Sequence, residues 1–142
     1  MRRRTRTRAS WAGVLAAAVA AVLLSPTSAV QAADPVAICN SQSAEGALTY
    51  TQNAAGWPKS IPGGGGMMYL YYEGNLGQNC AVTVGSGAVD IGLRVSGGGG
   101  AQWSTGNGVT GPVYVRAKGV CVDVTGSSGG RSHTVWGTNC GS

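Results

Sequence analysis

Phenylalanine is absent from the 142 residues, and histidine occurs once, at His133. Without Phe, the large side chains of a core must come from Tyr and Trp, whose polar tips can still reach the surface. A single His restricts any Ser-His-Asp site to His133, with Asp90 or Asp123 to orient it. Long apolar runs are missing too: the uncharged stretch WAGVLAAAVAAVLL, residues 11–24, falls short of the ~20 residues that cross a bilayer as a helix, so no transmembrane anchor is expected. Cys39, Cys80, Cys121 and Cys140 contain no CxxC spacing, which disfavours a zinc site. Nor does any window of residues 33–142 show an apolar period of 3.6 free of Gly or Pro, so little helix is expected.

What is present begins with MRRRTRTRAS, five arginines and no acid, followed by the apolar stretch and SPTSAVQAADP. This is the order of a secretory signal peptide. Val30 and Ala32 fit its small-x-small rule, placing cleavage after Ala32, with Ala29 as the second choice. Residues 1–32 are thus read as a leader and 33–142 as one domain. The leader takes Arg2, Arg3, Arg4, Arg6 and Arg8 with it. Lys59, Arg94, Arg116, Lys118 and Arg131 then stand against Asp34, Glu45, Glu73, Asp90 and Asp123, a net charge of zero in place of +5. No basic patch remains for nucleic acid, and a near-neutral surface tends to associate.

Export and an even cysteine count point to two disulfides. Three connectivities are possible. Cys39 with Cys80 would pin the polar N-terminal stretch to a strand, and Cys121 with Cys140 would pin the C-terminus; this is the expected pairing. On the chain-entropy model each contributes roughly 3–4 kcal/mol.

The chain is glycine-rich, with 25 Gly, yet the apolar residues between the glycines alternate. Val89, Ile91, Leu93 and Val95 have period two, the mark of a half-buried strand. MMYLYY and NCAVTV flank the turn EGNLGQ. GPVYVRAKGVCVDV reads as a hairpin turning at Lys118 and Gly119, and SHTVWG as a last strand. Six or seven short strands imply an all-β fold, a single small antiparallel sandwich or barrel-like domain. The glycine runs 63–66 and 97–100 are expected to be loops within it.

Several apparent motifs lack their setting. GNGVTG, residues 106–111, matches a dinucleotide loop but leads into PVYV, a strand, where a helix start is needed. GSSGG, residues 126–130, offers Ser128 as a nucleophile but also leads into a strand. Glu45 and Glu73 are isolated, which disfavours a glycosidase pair. No catalytic residue, cofactor site or metal site is therefore expected. The aromatics Tyr50, Tyr69, Tyr71, Tyr72 and Tyr114 read first as core or core-edge residues, with Tyr69 and Tyr71 on one face of their strand. Trp57, Trp103 and Trp136 are the candidates for a surface that binds by stacking.

With GGGGMMYLYYEGNLGQNCAVTV, GPVYVRAKGVCVDV and the closing NCG in view, the chain resembles the actinobacterial spore-associated protein A family of small secreted proteins. It departs from that pattern at CNSQ and in AQWSTGNGVTG. The resemblance implies an extracellular or spore-surface protein of unestablished molecular activity, with no catalytic residues to carry over; together with the residue reading this leads to the expectation of a non-enzymatic protein whose partner is a spore or cell-envelope surface. A module binding extracellular or cell-wall glycan is the alternative, and an inhibitor of secreted proteases stands after it.

Overall fold

The computed structural model describes residues 32–41, 49–51 and 53–141. One short helix, α1 (Pro35–Ser41), precedes the strands β1 (Lys59–Ile61), β2 (Gly66–Glu73), β3 (Gln78–Val95), β4 (Gln102–Thr110), β5 (Val113–Arg116), β6 (Val122–Ser128) and β7 (Arg131–Thr138). All pair antiparallel in one sheet, so the expected all-β, barrel-like class is what the chain adopts. Of the leader read in residues 1–32, residues 1–31 lie outside the described residues. Among those described, no helix is long and apolar enough to cross a membrane.

β3 organises the rest. Its first half pairs with β2 on one edge and β5 on the other, so that Cys80 faces both Tyr71 and Tyr114. Its second half pairs with β4 and β6, so that Gly92 faces both Trp103 and Thr125. A register shift between Val84 and Ala88, at the glycines of GSG, separates the halves. Bulges bend a strand, and here the two halves bring their inner faces together. Met68, Leu70 and Ala81 from the first half meet Ile91, Leu93, Val122 and Val124 from the second in one core with Trp57, Ile61 and Val113. Each fully buried Leu, Ile, Val or Met contributes roughly 1.5–3 kcal/mol.

The first half of β3 is covered on its outer face as well. Cys39 of α1, Tyr50, Tyr71, Cys80 and Val82 form a second cluster there. The Cys39–Cys80 disulfide crosses it, Tyr114 donates its hydroxyl to the Cys39 carbonyl at 2.6 Å, and Tyr50 donates to Gln78 Oε1 at 2.6 Å. Burial, aided by Tyr69 and Asp34, pushes the Tyr71 phenol up to about 12. Tyr69 stacks on Tyr71 on the same face, as the alternation of MMYLYY requires. Cys121 pairs with Cys140, so both disulfides follow the expected connectivity.

The expected hairpin is corrected. Residues 113–124 do not form a hairpin: β5 and β6 each pair with β3, on opposite edges of it. An 18-residue strand has room for both, and separating them lets Val113 and Val122 enter the core from different sides. In the run GGGG at 63–66, expected as a loop, Gly66 is already the first residue of β2, while residues 63–65 lie in the turn from β1 into β2. It is tight because a Cβ on Gly66 would come within 2.6 Å of Ser128 Cβ.

Candidate functional site

Because β3 turns Ile91 and Leu93 inward, it turns Asp90, Gly92 and Arg94 outward. Across from them stand Thr105 and Ser127 beside Asp90, Trp103 and Thr125 beside Gly92, and Asp123 beside Arg94. β7 adds Thr134, paired with Thr125 and sharing a hydroxyl contact of 2.9 Å with it. The register between β6 and β7 shifts at Val122 and Val124, which frees the Gly137 amide to donate to Asp123 Oδ1 at 2.9 Å. Trp136, next to that bulge, places its ring 5.4 Å from the Arg94 guanidinium carbon. Such contacts contribute about 0.5–1 kcal/mol at exposed sites.

Trp103 is 57% exposed and Trp136 67% exposed. Between them lies an open cleft of about 200 Å³ lined by Gly92, Arg94, Asp123 and Thr125. Its floor depends on Gly92: a Cβ there would sit 2.7 Å from Cζ3 and Cη2 of Trp103, so the indole rests against bare backbone and turns its other face outward. Any larger residue at 92 would lift it.

Asp123, 5% exposed, holds the cleft together from below. Its carboxylate accepts from Ser96 Oγ at 2.5 Å, Arg94 Nε at 3.0 Å and the Gly137 amide. Burial pushes this carboxyl up, but the hydrogen bonds from Ser96, Gly137 and Arg94, together with the guanidinium charge, outweigh it and hold it below the usual carboxylate range. The acid is thus committed to orienting Arg94. Among the described residues the guanidinium's terminal nitrogens make no hydrogen bond, and neither does the Asp90 carboxylate.

The sequence candidates distribute unevenly. Trp103 and Trp136 come together on this face. Trp57 does not share it: it lies in the barrel core at 7% exposure, donating Nε1–H to Thr138 Oγ1 at 3.0 Å. Ser128 is buried on the inner side, giving its hydroxyl hydrogen to the Gly64 carbonyl and accepting the Ser86 amide, while His133 sits across from Gly126. GNGVTG falls on β4 and the turn after it, leading into a strand. Glu73 accepts the amides of Leu76 and Asn75 in the β2–β3 turn, and these hold it below the usual carboxylate range; Glu45 lies outside the described residues. Sequence reasoning missed Gly92, Arg94 and Asp123 as one group. The signal for two of them was present, since the alternation of 89–95 places both Gly92 and Arg94 outward.

No protein-family profile matches the chain, and no solved structure does. Among curated proteins, the chain is similar to Spore-associated protein A of Streptomyces coelicolor. The two are 36% identical over 90 residues, 58% of this chain and 58% of that protein. The match therefore spans little more than half the length of the relative. It supports the resemblance to spore-associated protein A drawn from the YLYY, NCAVTV and GPVYVRAKGVCVDV segments.

Proposed function

We propose that this protein is exported and attaches, without catalysis, to a spore or cell-envelope surface through the outer face formed by β3, β4, β6 and β7. The observation that carries the reading is the exposure of Trp103 and Trp136 on that face. Large apolar surface left in water marks interaction sites, and the corresponding face of the first half of β3 is covered. The name of the relative supports a spore-surface setting, and the two disulfides suit an oxidising compartment. The commitment of Ser128 to two backbone groups inside the barrel favours the non-enzymatic reading over a hydrolase.

Attachment by this face is chiefly apolar and aromatic. Spore and mycelial fractions washed at ~1 M salt, where the screening length is roughly 3 Å, should retain the protein, whereas detergent or denaturant should release it. Quantitative release by salt alone would contradict the reading, as would recovery of the protein only from the culture fluid.

A further inference from the structure

We infer that the cleft between Trp103 and Trp136 binds an uncharged pyranose chain, an inference that rests on the attachment reading and names its ligand. Four features converge on that chemistry. The cleft, about 200 Å³, is smaller than the roughly 300–1,000 Å³ of sites for drug-sized molecules, and it is open, which suits one ring of a longer chain. The Trp103 indole, laid flat over Gly92, offers an apolar platform to the C–H face of a sugar whose hydroxyls are equatorial. Arg94 offers donors at one end of the outward row and Asp90 offers acceptors at the other. At ~3.3 Å per residue these ends lie about 13 Å apart, more than one ring, and a hydroxyl can satisfy either because it both donates and accepts.

Charge discriminates against other polymers. An acidic polymer would gain at Arg94 but meet Asp90 on the same face and Asp123 beneath the guanidinium. A basic polymer would meet Arg94 at the cleft itself. Around the cleft, Thr105, Thr125, Ser127, Ser132 and Thr134 line the same outward rows, adding short hydroxyls with no net charge. An uncharged polyol with apolar ring faces fits every part of this surface.

The test uses the exported protein titrated with cellohexaose and chitohexaose, with polygalacturonate as the acidic control, followed by tryptophan fluorescence and calorimetry. At least one uncharged hexamer should bind saturably, with an affinity that hardly changes up to ~1 M salt. Trp103→Ala and Trp136→Ala should each weaken it about tenfold in a protein that remains folded, its melting temperature lowered by no more than a few degrees. Trp103→Tyr, which keeps a smaller ring, should fall between, and Leu76→Ala, on the β2–β3 turn, should change nothing. Failure of both hexamers to bind, or tighter and salt-sensitive binding of polygalacturonate, would overturn the inference. If the Trp variants lose spore retention while neither hexamer binds, the glycan inference falls and the attachment reading stands. If retention is unaffected by both variants, the attachment reading falls as well.

Discussion

The two halves of β3 present outer faces built on the same alternation, yet one is roofed and the other bare. On the first half, Cys80 and Val82 lie beneath α1, Tyr50 and Tyr71, closed by a disulfide and the Tyr114–Cys39 hydrogen bond. On the second half, Asp90, Gly92 and Arg94 face outward beside Trp103, Trp136, Asp123 and short hydroxyl side chains. The residues between the inward-facing ones decide the difference. Cys and Val need a cover, and the N-terminal segment supplies it. Asp, Gly and Arg do not, and the two indoles beside them stay exposed.

Removing the roof should have the largest effect. Cys39→Ala with Cys80→Ala should cost about 2–5 kcal/mol, read as a lower urea midpoint, and should make residues before β1 susceptible to protease. Retention at the spore surface should survive at temperatures where the barrel remains folded, because α1 packs over the first half and against Val109 at the end of β4, none of which lines the cleft between the tryptophans. Loss of retention in step with loss of the roof would erase the distinction between the halves.

Next comes the buried acid under the cleft. Asp123→Ala leaves the Ser96 hydroxyl, the Gly137 amide and Arg94 Nε without their acceptor, a loss of roughly 1–3 kcal/mol, and should also weaken attachment by releasing Arg94. The pH dependence has a definite sign. The folded-state pKa values of Asp123 and Glu73 are both depressed, so their stabilisation is fully present above the ordinary carboxylate value of about 4. It is lost as pH falls through the folded values. Thermal melts should thus be nearly level from neutral pH down to about 5 and decline below it, and Asp123→Asn should flatten part of that decline. A decline beginning near neutrality would contradict this assignment.

The smallest change in stability is expected at Gly92. A valine there must push the Trp103 ring off the strand, but the ring is mostly in water, so stability should fall by under ~1 kcal/mol while Trp fluorescence shifts and retention drops. Equal retention would show that the flat seat of the indole is unnecessary.

Much of this architecture was legible from the sequence because period-two alternation is a local signal. MMYLYY, NCAVTV and 89–95 announce their strands, and the GNLG turn announces the hairpin that joins the first two. β4 was not legible: QWSTGNGVT carries few apolar residues, and it is a strand because β3 leaves an edge open beside it. The false hairpin at 113–124 has the same origin, since local turn chemistry at Lys118–Gly119 is silent about which edge of β3 each flank will join. Trp57 and Trp136 look alike as sequence. A core position beside Thr138 buries one and a bulge beside Asp123 exposes the other, and both are set by partners distant along the chain.

The most direct test of the bare face is rebinding of purified protein to stripped spores, comparing the native chain with Trp103→Ala/Trp136→Ala and with Leu76→Ala/Val120→Ala, whose residues are also exposed but lie on turns away from the cleft. The tryptophan pair should lose most of its retention while remaining folded, with a melting temperature lowered by no more than a few degrees, and the turn variant should bind like the native protein. Equal retention by all three, or equal loss in both variants, would contradict the attachment reading.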